Sequence, residues 1–438
     1  MAAPPRENDA VSGSDAETRE ADPPSIRSLT LLSIPAIVIG IVSALALIAL
    51  EWLGDRLKDG LWSALPDAVG ADPDSPLYIF LMLSAIGVLI GLVVWLIPGH
   101  AGPDPATTGL IEEPLPLGAL PGLAIVTIIA QGGGVSLGPE APIVVLNVSL
   151  IVAAIKFFKL PIPTRLGMVL ATAATIGALF GTPVAAALIL TGMVATMKGS
   201  GSLWDRLFLP LVAAAVAAVT VSVISKPDFG AGLPEMGAPG WLDLVSAIVI
   251  ASVAVGLGLA GVWLFPLLHR AFHALRHPLL MIVAGGIVLG GLGALGGPLT
   301  LFKGLEQSTQ LVDAASSMTV GALILVTVVK LVALLVASAS GFRGGRIFPS
   351  VFVGVGVGLI ANSLIPDIPV SLAVSAGVMG LTLVSARDGW LALFLGVALA
   401  GDINVLPVLI LAILPTWLLI SRRPLLQVVR KTAPTPAM

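Results

Sequence analysis

Gly132-Gly133-Gly134-Val135-Ser136-Leu137-Gly138-Pro139-Glu140-Ala141-Pro142 sets one carboxylate among glycines and prolines in an otherwise apolar neighbourhood. An ionisable side chain at membrane depth is costly, so Glu140 either lines a water-filled path or is paired there. Gly138 permits an unusual backbone turn and Pro139 suits the first position of a helix. The apolar run Ile143 to Phe157 then continues as a helical span. A helix that starts inside the membrane leaves its first amide hydrogens unpaired. With the positive end of the helix dipole, those donors make a site for an anion.

Composition places this stretch in a membrane. The 438 residues are 57% hydrophobic and 11% charged, with a mean hydropathy of +1.05, which excludes a soluble globular protein and predicts a polytopic one. The formal net charge of -3 is small, and no basic tract or aromatic platform points to nucleic acid. Cysteine is absent, which removes disulfides, thiol catalysis and thiolate metal sites and leaves the redox compartment open.

Residues 1–27 are rich in Pro, Ser, Asp and Glu without periodicity and read as a disordered tail, not a signal peptide. Apolar segments follow at 29–50 and 77–97, joined by a polar connector, Glu51 to Ser75, expected at one surface. The break Pro98-Gly99-His100-Ala101-Gly102-Pro103-Asp104-Pro105 comes next, then 120–129 and the Glu140 stretch. Further segments are read at 143–158, 167–180, 183–196, 207–225 and 241–268, and a second set at 279–296, 319–340, 347–364, 369–385, 389–400 and 404–420. Several are too short to cross squarely, the mark of transporters with discontinuous helices. Ser340-Gly341-Phe342-Arg343-Gly344-Gly345-Arg346-Ile347-Phe348-Pro349 reads as the counterpart of the Glu140 stretch, as an inverted or parallel internal repeat would leave. The expected layout is a first membrane half over 28–226, a second over 241–422, a short basic tail over 423–438 and no soluble regulatory domain. The basic end, with Arg422, Arg423, Arg430 and Lys431, argues for a cytoplasmic C-terminus.

These stretches resemble those of the CLC family of chloride channels and proton/chloride antiporters. Gly138-Pro139-Glu140-Ala141-Pro142 is similar to the family's Gly-Arg/Lys-Glu-Gly-Pro motif, Gly345-Arg346-Ile347-Phe348-Pro349 to Gly-Xaa-Phe-Xaa-Pro, and Gly99 to Asp104 to Gly-Ser-Gly-Ile-Pro. The strings also resemble those of a divergent bacterial branch of ion-transport proteins. The resemblance implies an all-α polytopic membrane fold, a CLC-type inverted repeat of tilted and broken helices, with one anion pathway per subunit and a homodimer. It implies that Glu140 is the gate, and that Ala101, Gly102, Gly138, Ala141, Gly345, Arg346, Ile347 and Phe348 surround the anion. It further implies an inner-membrane (plasma-membrane) protein with both termini cytoplasmic.

This sequence also departs from the family. Met193 stands where antiporters carry an inner glutamate, Leu426 where a tyrosine meets the anion and Ala101 where a serine does. Pro139 removes one amide donor, and Arg343 and Arg346 replace small or apolar residues. Either arginine could restore positive potential at the pathway.

Plainer readings stand beside these. Glu140 could be a structural carboxylate paired with Arg343 or Arg346, and both arginines fit a structural role better than a functional one, as charges such as Arg387 and Asp388 also sit at segment ends. Lys330 fits snorkelling or helix pairing better than a place in the path. His269, His273 and His277 share a helical face, but beside Arg270 and Arg276 they fit a headgroup-facing segment end better than a metal site, and no metal is expected. His100 fits a turn, Asp104 a helix cap, and Gly132 to Gly134 close helix packing, since no Lys-Ser/Thr follows them as in a nucleotide loop.

The function expected is transport of a small inorganic monovalent anion, channel-like rather than proton-coupled, across a lipid bilayer with no enzymatic step and no cofactor. The alternatives are a proton/anion antiporter with a non-standard proton route, a carrier of a larger organic anion or oxyanion, and a non-transporting structural protein.

Overall fold

The computed structural model describes residues 25–196, 202–225 and 229–428, with the backbone alone for 193–196. The tail read as disordered lies outside the described residues as far as residue 24, as do the Met193 side chain and the basic end beyond residue 428. From the first half come α1 (Ile26–Asp59), α2 (Leu65–Val69), α3 (Pro76–Leu96), α4 (Leu120–Gly132), α5 (Glu140–Phe157), α6 (Thr164–Leu179), α7 (Pro183–Thr196) and α8 (Leu203–Ile224). The second half supplies α9 (Trp241–His273), α10 (Pro278–Gly296), α11 (Leu305–Ala314), α12 (Val320–Ala339), α13 (Ile347–Leu364), α14 (Val370–Ala386), α15 (Gly389–Ala400) and α16 (Val405–Ile420).

Local chemistry sets the starts. Ser25, Ser75 and Thr319 accept amide hydrogens of Ser28, Tyr78 and Ala322, while Ser202 and Asp205 cap α8 reciprocally. Two features go beyond the sequence reading here. The connector Glu51 to Ser75 is largely exposed, as expected, but helical as far as Val69, since α1 runs on to Asp59 and passes through a π-helical turn at Gly60–Ala64 into α2. Helix α11 was not foreseen, because Glu306, Gln307, Gln310 and Asp313 hide its short amphipathic pattern in a polar stretch.

Among the described residues, eight helical segments are long and apolar enough to cross a membrane. By contrast, α15 has 12 residues and rises only about 18 Å at 1.5 Å per residue, against a hydrocarbon core of about 30 Å. Helices α4, α6, α7, α14 and α16 are also short, so helix ends fall at membrane depth, where they need partners.

The two halves repeat. Helices α1 and α9 have 34 and 33 residues, and α5 and α13 have 18 each. Helix α1 packs on α4, α6 and α8, as α9 packs on α12, α14 and α16. The halves meet along α3 and α10, where Gly87 and Gly286 face each other. A Cβ on Gly87 would come within 2.8 Å of the Gly286 Cα, and the converse distance is 2.7 Å. Backbone therefore packs on backbone, the close approach that small residues allow between membrane helices.

Gly87→Val should destabilise the protein by about 1–3 kcal/mol through overpacking. Gly256→Ala, whose Cβ would meet nothing within 4 Å, should leave stability almost unchanged. Thermal unfolding in detergent measures both, and equal losses would contradict this account of the α3–α10 seam.

Candidate functional site

Helices α5 and α13 begin side by side in the interior. Gly138 and Gly345, each two residues before its helix, form an isolated antiparallel bridge. The Gly138 amide donates to the Gly345 carbonyl at 3.0 Å and the Gly345 amide to the Gly138 carbonyl at 2.7 Å. Equivalent residues of the two halves thus satisfy each other's backbone. Neither glycine has a positive φ, so the turn-forming role expected of Gly138 does not apply. Both are glycine for space, because a Cβ on either would overlap the Glu140 carboxyl. Pro139 sits at the cap with helical angles, φ -80° and ψ -4°, and Glu140 opens α5.

Glu140 is fully buried. Its Oε1 accepts the amide hydrogens of Ile347 at 2.7 Å and Phe348 at 3.3 Å, the first amides of α13. Its Oε2 lies buried with no hydrogen-bond partner. One carboxylate oxygen therefore occupies the donor site at the start of the opposite half's helix.

Two cavities lie near this carboxylate, one bordered by Glu140 itself and one by Phe348. A first one, of about 350 Å³, is bordered by Glu140, Ala141, Gly345, Arg346 and Ile347 together with Thr108, Asp388 and Gln427. A second, of about 760 Å³, is bordered by Phe348 with Glu51, Asp55, Lys303 and Glu306. Glu140 borders the first and Phe348, whose amide it accepts, borders the second, and Phe348 is packed with Phe180 and Phe229 at ring separations of 6.0 and 6.3 Å. The connector after α3 borders the first cavity, through Pro105 to Ile111, and the connector after α10 borders the second, through Lys303 and Leu305. Equivalent connectors of the two halves thus border different cavities.

The arginines do not pair with Glu140. Arg343 Nε donates to Ala101 O at 3.1 Å, Nη1 to Gly341 O at 2.7 Å, and Nη2 to His100 O at 2.8 Å and Gly102 O at 3.1 Å. Arg346 Nη2 donates to Thr108 O at 2.6 Å and Nη1 to Leu426 O. Both hold the broken connector after α3 in place, although Arg346 also borders the first cavity. Ala101, fully buried and at φ 55°, and Gly102, at φ 86°, form the turn that Arg343 grips. The Gly102 amide is taken by Gly99 O at 2.9 Å. Ala101 borders a smaller cavity beside Ala141 rather than the one that reaches Glu140.

Other polar groups fall into place. Lys330 neither snorkels nor lines a cavity that reaches Glu140: fully buried, its Nζ donates to the carbonyls of Thr300, Leu301 and Phe302 at 3.1, 2.8 and 2.7 Å. Arg387 and Asp388 serve separate helix ends. The arginine donates to the carbonyls of Ile420, Arg423 and Pro424, whereas Asp388 caps α15 through the Leu391 amide at 3.0 Å. His100 is a turn residue at φ 50°, with Nδ1 2.8 Å from Val94 O. Asp104 caps the Ala106 amide at 3.0 Å. Gly132 packs as expected, since a Cβ there would lie 2.7 Å from Gly54 O. Sequence reasoning missed Thr108, Asp388 and Gln427 as cavity residues, because they come from three segments remote in sequence and carry no motif.

A family model described as "Voltage gated chloride channel" matches residues 105–419. YfeO of Escherichia coli, which its name assigns provisionally to ion transport, is 44% identical over 416 residues, covering 94% of this chain and 98% of YfeO. Among solved structures, a slow cyanobacterial Cl-/H+ antiporter superposes with a TM-score of 0.74 at 18% identity, covering 91% of this chain and 96% of that one. A CLC-type fluoride/proton antiporter gives 0.66 at 19% identity, covering 89% and 96%. At such identities the likeness is one of fold: an all-α, inverted repeat of broken membrane helices.

Arg343→Lys should lower stability by about 1–3 kcal/mol, because a single ammonium cannot reach all four carbonyls and leaves buried acceptors unpaired. Unfolding in detergent reads this, and a variant as stable as the parent would contradict the clamp.

Proposed function

Because the chain belongs to the voltage-gated chloride channel family, we propose that it moves a small monovalent anion, chloride or another halide, through a pathway gated by Glu140. The observation that carries this reading is the position of Glu140 Oε1 on the Ile347 and Phe348 amides, with one cavity bordered by Glu140 and another by Phe348. A negative oxygen held by helix-start amides stands in for an anion at that place. Protonation removes the charge that competes for those donors, the carboxyl leaves, and the cavities join. Around the anion, Ile347 and Phe348 act through their amides, while Ala141, Gly345 and Arg346 shape the wall. Gly138 acts by leaving room for the carboxylate, and Ala101 and Gly102 act at one remove, through the turn that Arg343 holds.

The transport is channel-like, since Met193 and Leu426 replace the acidic and hydroxylic side chains that the resemblance led one to expect. The protein resides in the plasma membrane as a homodimer with both termini cytoplasmic, its halves over 28–226 and 241–422, and it needs neither cofactor nor covalent chemistry. A second reading has one observation in its favour: Asp388 borders the same cavity as Glu140 and offers an acid for proton exchange where Met193 does not.

Reconstitution with simultaneous anion and proton measurement tests both. Halide flux through the wild type should rise as pH falls, while Glu140→Gln should hold the protonated-state flux with little pH dependence. No proton movement should accompany the anion. Halide-tight liposomes, or an unchanged pH profile in Glu140→Gln, would overturn the gate. Protons driven uphill by the anion gradient, and uncoupled by Asp388→Asn, would replace the channel with the antiporter.

A further inference from the structure

At the end of α9, His269 and His273 stack at a ring separation of 3.6 Å and an interplanar angle of 25°. Their partner comes from far away in sequence. Asp104 Oδ2 lies 2.9 Å from His269 Nε2 and 3.2 Å from His273 Nε2. His277, grouped with these two on sequence spacing, turns elsewhere and packs on Trp95 with ring centroids 5.4 Å apart.

Hydrogen bonding fixes how the three groups face one another. His273 Nδ1 lies 2.9 Å from the His269 carbonyl oxygen, which can only accept. Nδ1 therefore carries the hydrogen, and the neutral ring presents the Nε2 lone pair to a carboxylate oxygen 3.2 Å away. Two acceptors face each other unless something positive, a second ring proton or a metal ion, sits between them. The carboxylate is oriented as well, through Oδ1 on the Ala106 amide at 3.0 Å. A backbone carbonyl holding the far nitrogen of a histidine, and an amide holding the far oxygen of a carboxylate, are the outer contacts that orient metal ligands.

We propose that Asp104 Oδ2, His269 Nε2 and His273 Nε2 bind a divalent transition-metal ion of the zinc class, tying the end of α9 to the connector that borders the candidate pathway. The three donor atoms lie within 4.8 Å of one another. Zinc bonds of about 2.0–2.2 Å in tetrahedral array separate ligand atoms by roughly 3.4 Å, so the two Asp104 contacts, at 2.9 and 3.2 Å, need to open by only a few tenths of an ångström, while the stacked rings turn about their side-chain torsions until both Nε2 lone pairs converge on the ion. Two imidazoles and a carboxylate suit zinc, nickel, copper or cobalt rather than calcium or magnesium. The fourth position falls to water. An ion can reach it, because the side chains of Asp104, His269 and His273 are 26%, 14% and 33% exposed. The spacing of His269 and His273, four residues apart on one helix, puts both rings on one face. The connector is the one whose carbonyls Arg343 and Arg346 hold, so the ion adds a third fastening to it.

The test uses the full-length, tag-free protein in detergent, titrated calorimetrically with Zn2+ and, for the visible spectrum, with Co2+. The wild type should take up one ion per chain, gain thermal stability with Zn2+ and give the intense bands of low-coordinate Co2+. Asp104→Asn keeps the oxygen that caps Ala106, so it should fold with the metal-free melting temperature of the wild type. It should bind at least about ten-fold more weakly, as should His273→Ala, while His277→Ala should bind as the wild type does. A wild type that takes up no ion, or one whose affinity survives both Asp104→Asn and His273→Ala, would overturn the site.

Discussion

Glu140 accepting the first amides of α13 is the interaction on which the interior depends. A helix begun at membrane depth carries unpaired N–H groups, and in a medium without water each costs several kcal/mol. A carboxylate from the other half satisfies them, but only because the glycines beside it have no side chains. Its second oxygen has no partner. The arrangement is thus satisfied on one side and unsatisfied on the other.

The same constraint explains the cations. Broken helices expose carbonyl ends as well as amide starts, and the long basic side chains are found on those ends. Lys330 holds the turn after α10, Arg343 the turn after α3, and Arg387 the end of α16. The first two secure equivalent connectors of the inverted halves. Buried positive charge here is chiefly a structural device, and Arg346, which also borders the first cavity, is itself fastened to Thr108 and Leu426.

Much of this was legible in the sequence. Hydropathy placed 183–196, 347–364 and 389–400 at their observed bounds, and the paired glycine-proline stretches pointed to the two helix starts that meet. The rest depended on distance across the fold. Nothing near Lys330 in sequence says that its partners are the carbonyls of residues 300–302, and nothing near Asp104 says that His269 and His273 reach it. Spacing alone grouped His277 with the other two histidines, because the 3.6-residue period says which side chains share a face but not where a helix ends. Gly138 was read as permitting an unusual backbone turn, whereas the glycine makes room for a carboxylate, and a crowded carboxylate and a positive φ both call for glycine.

The claim that the carboxylate occupies an anion's place is tested most directly by removing it and looking. Crystals of Glu140→Ala grown in bromide and measured at the bromine absorption edge should show an anomalous peak where Oε1 stood, within hydrogen-bonding reach of the Ile347 and Phe348 amides. Wild-type crystals under the same conditions should show none there. Bromide absent from that position in the variant, with the two helix starts still in place, would contradict the account.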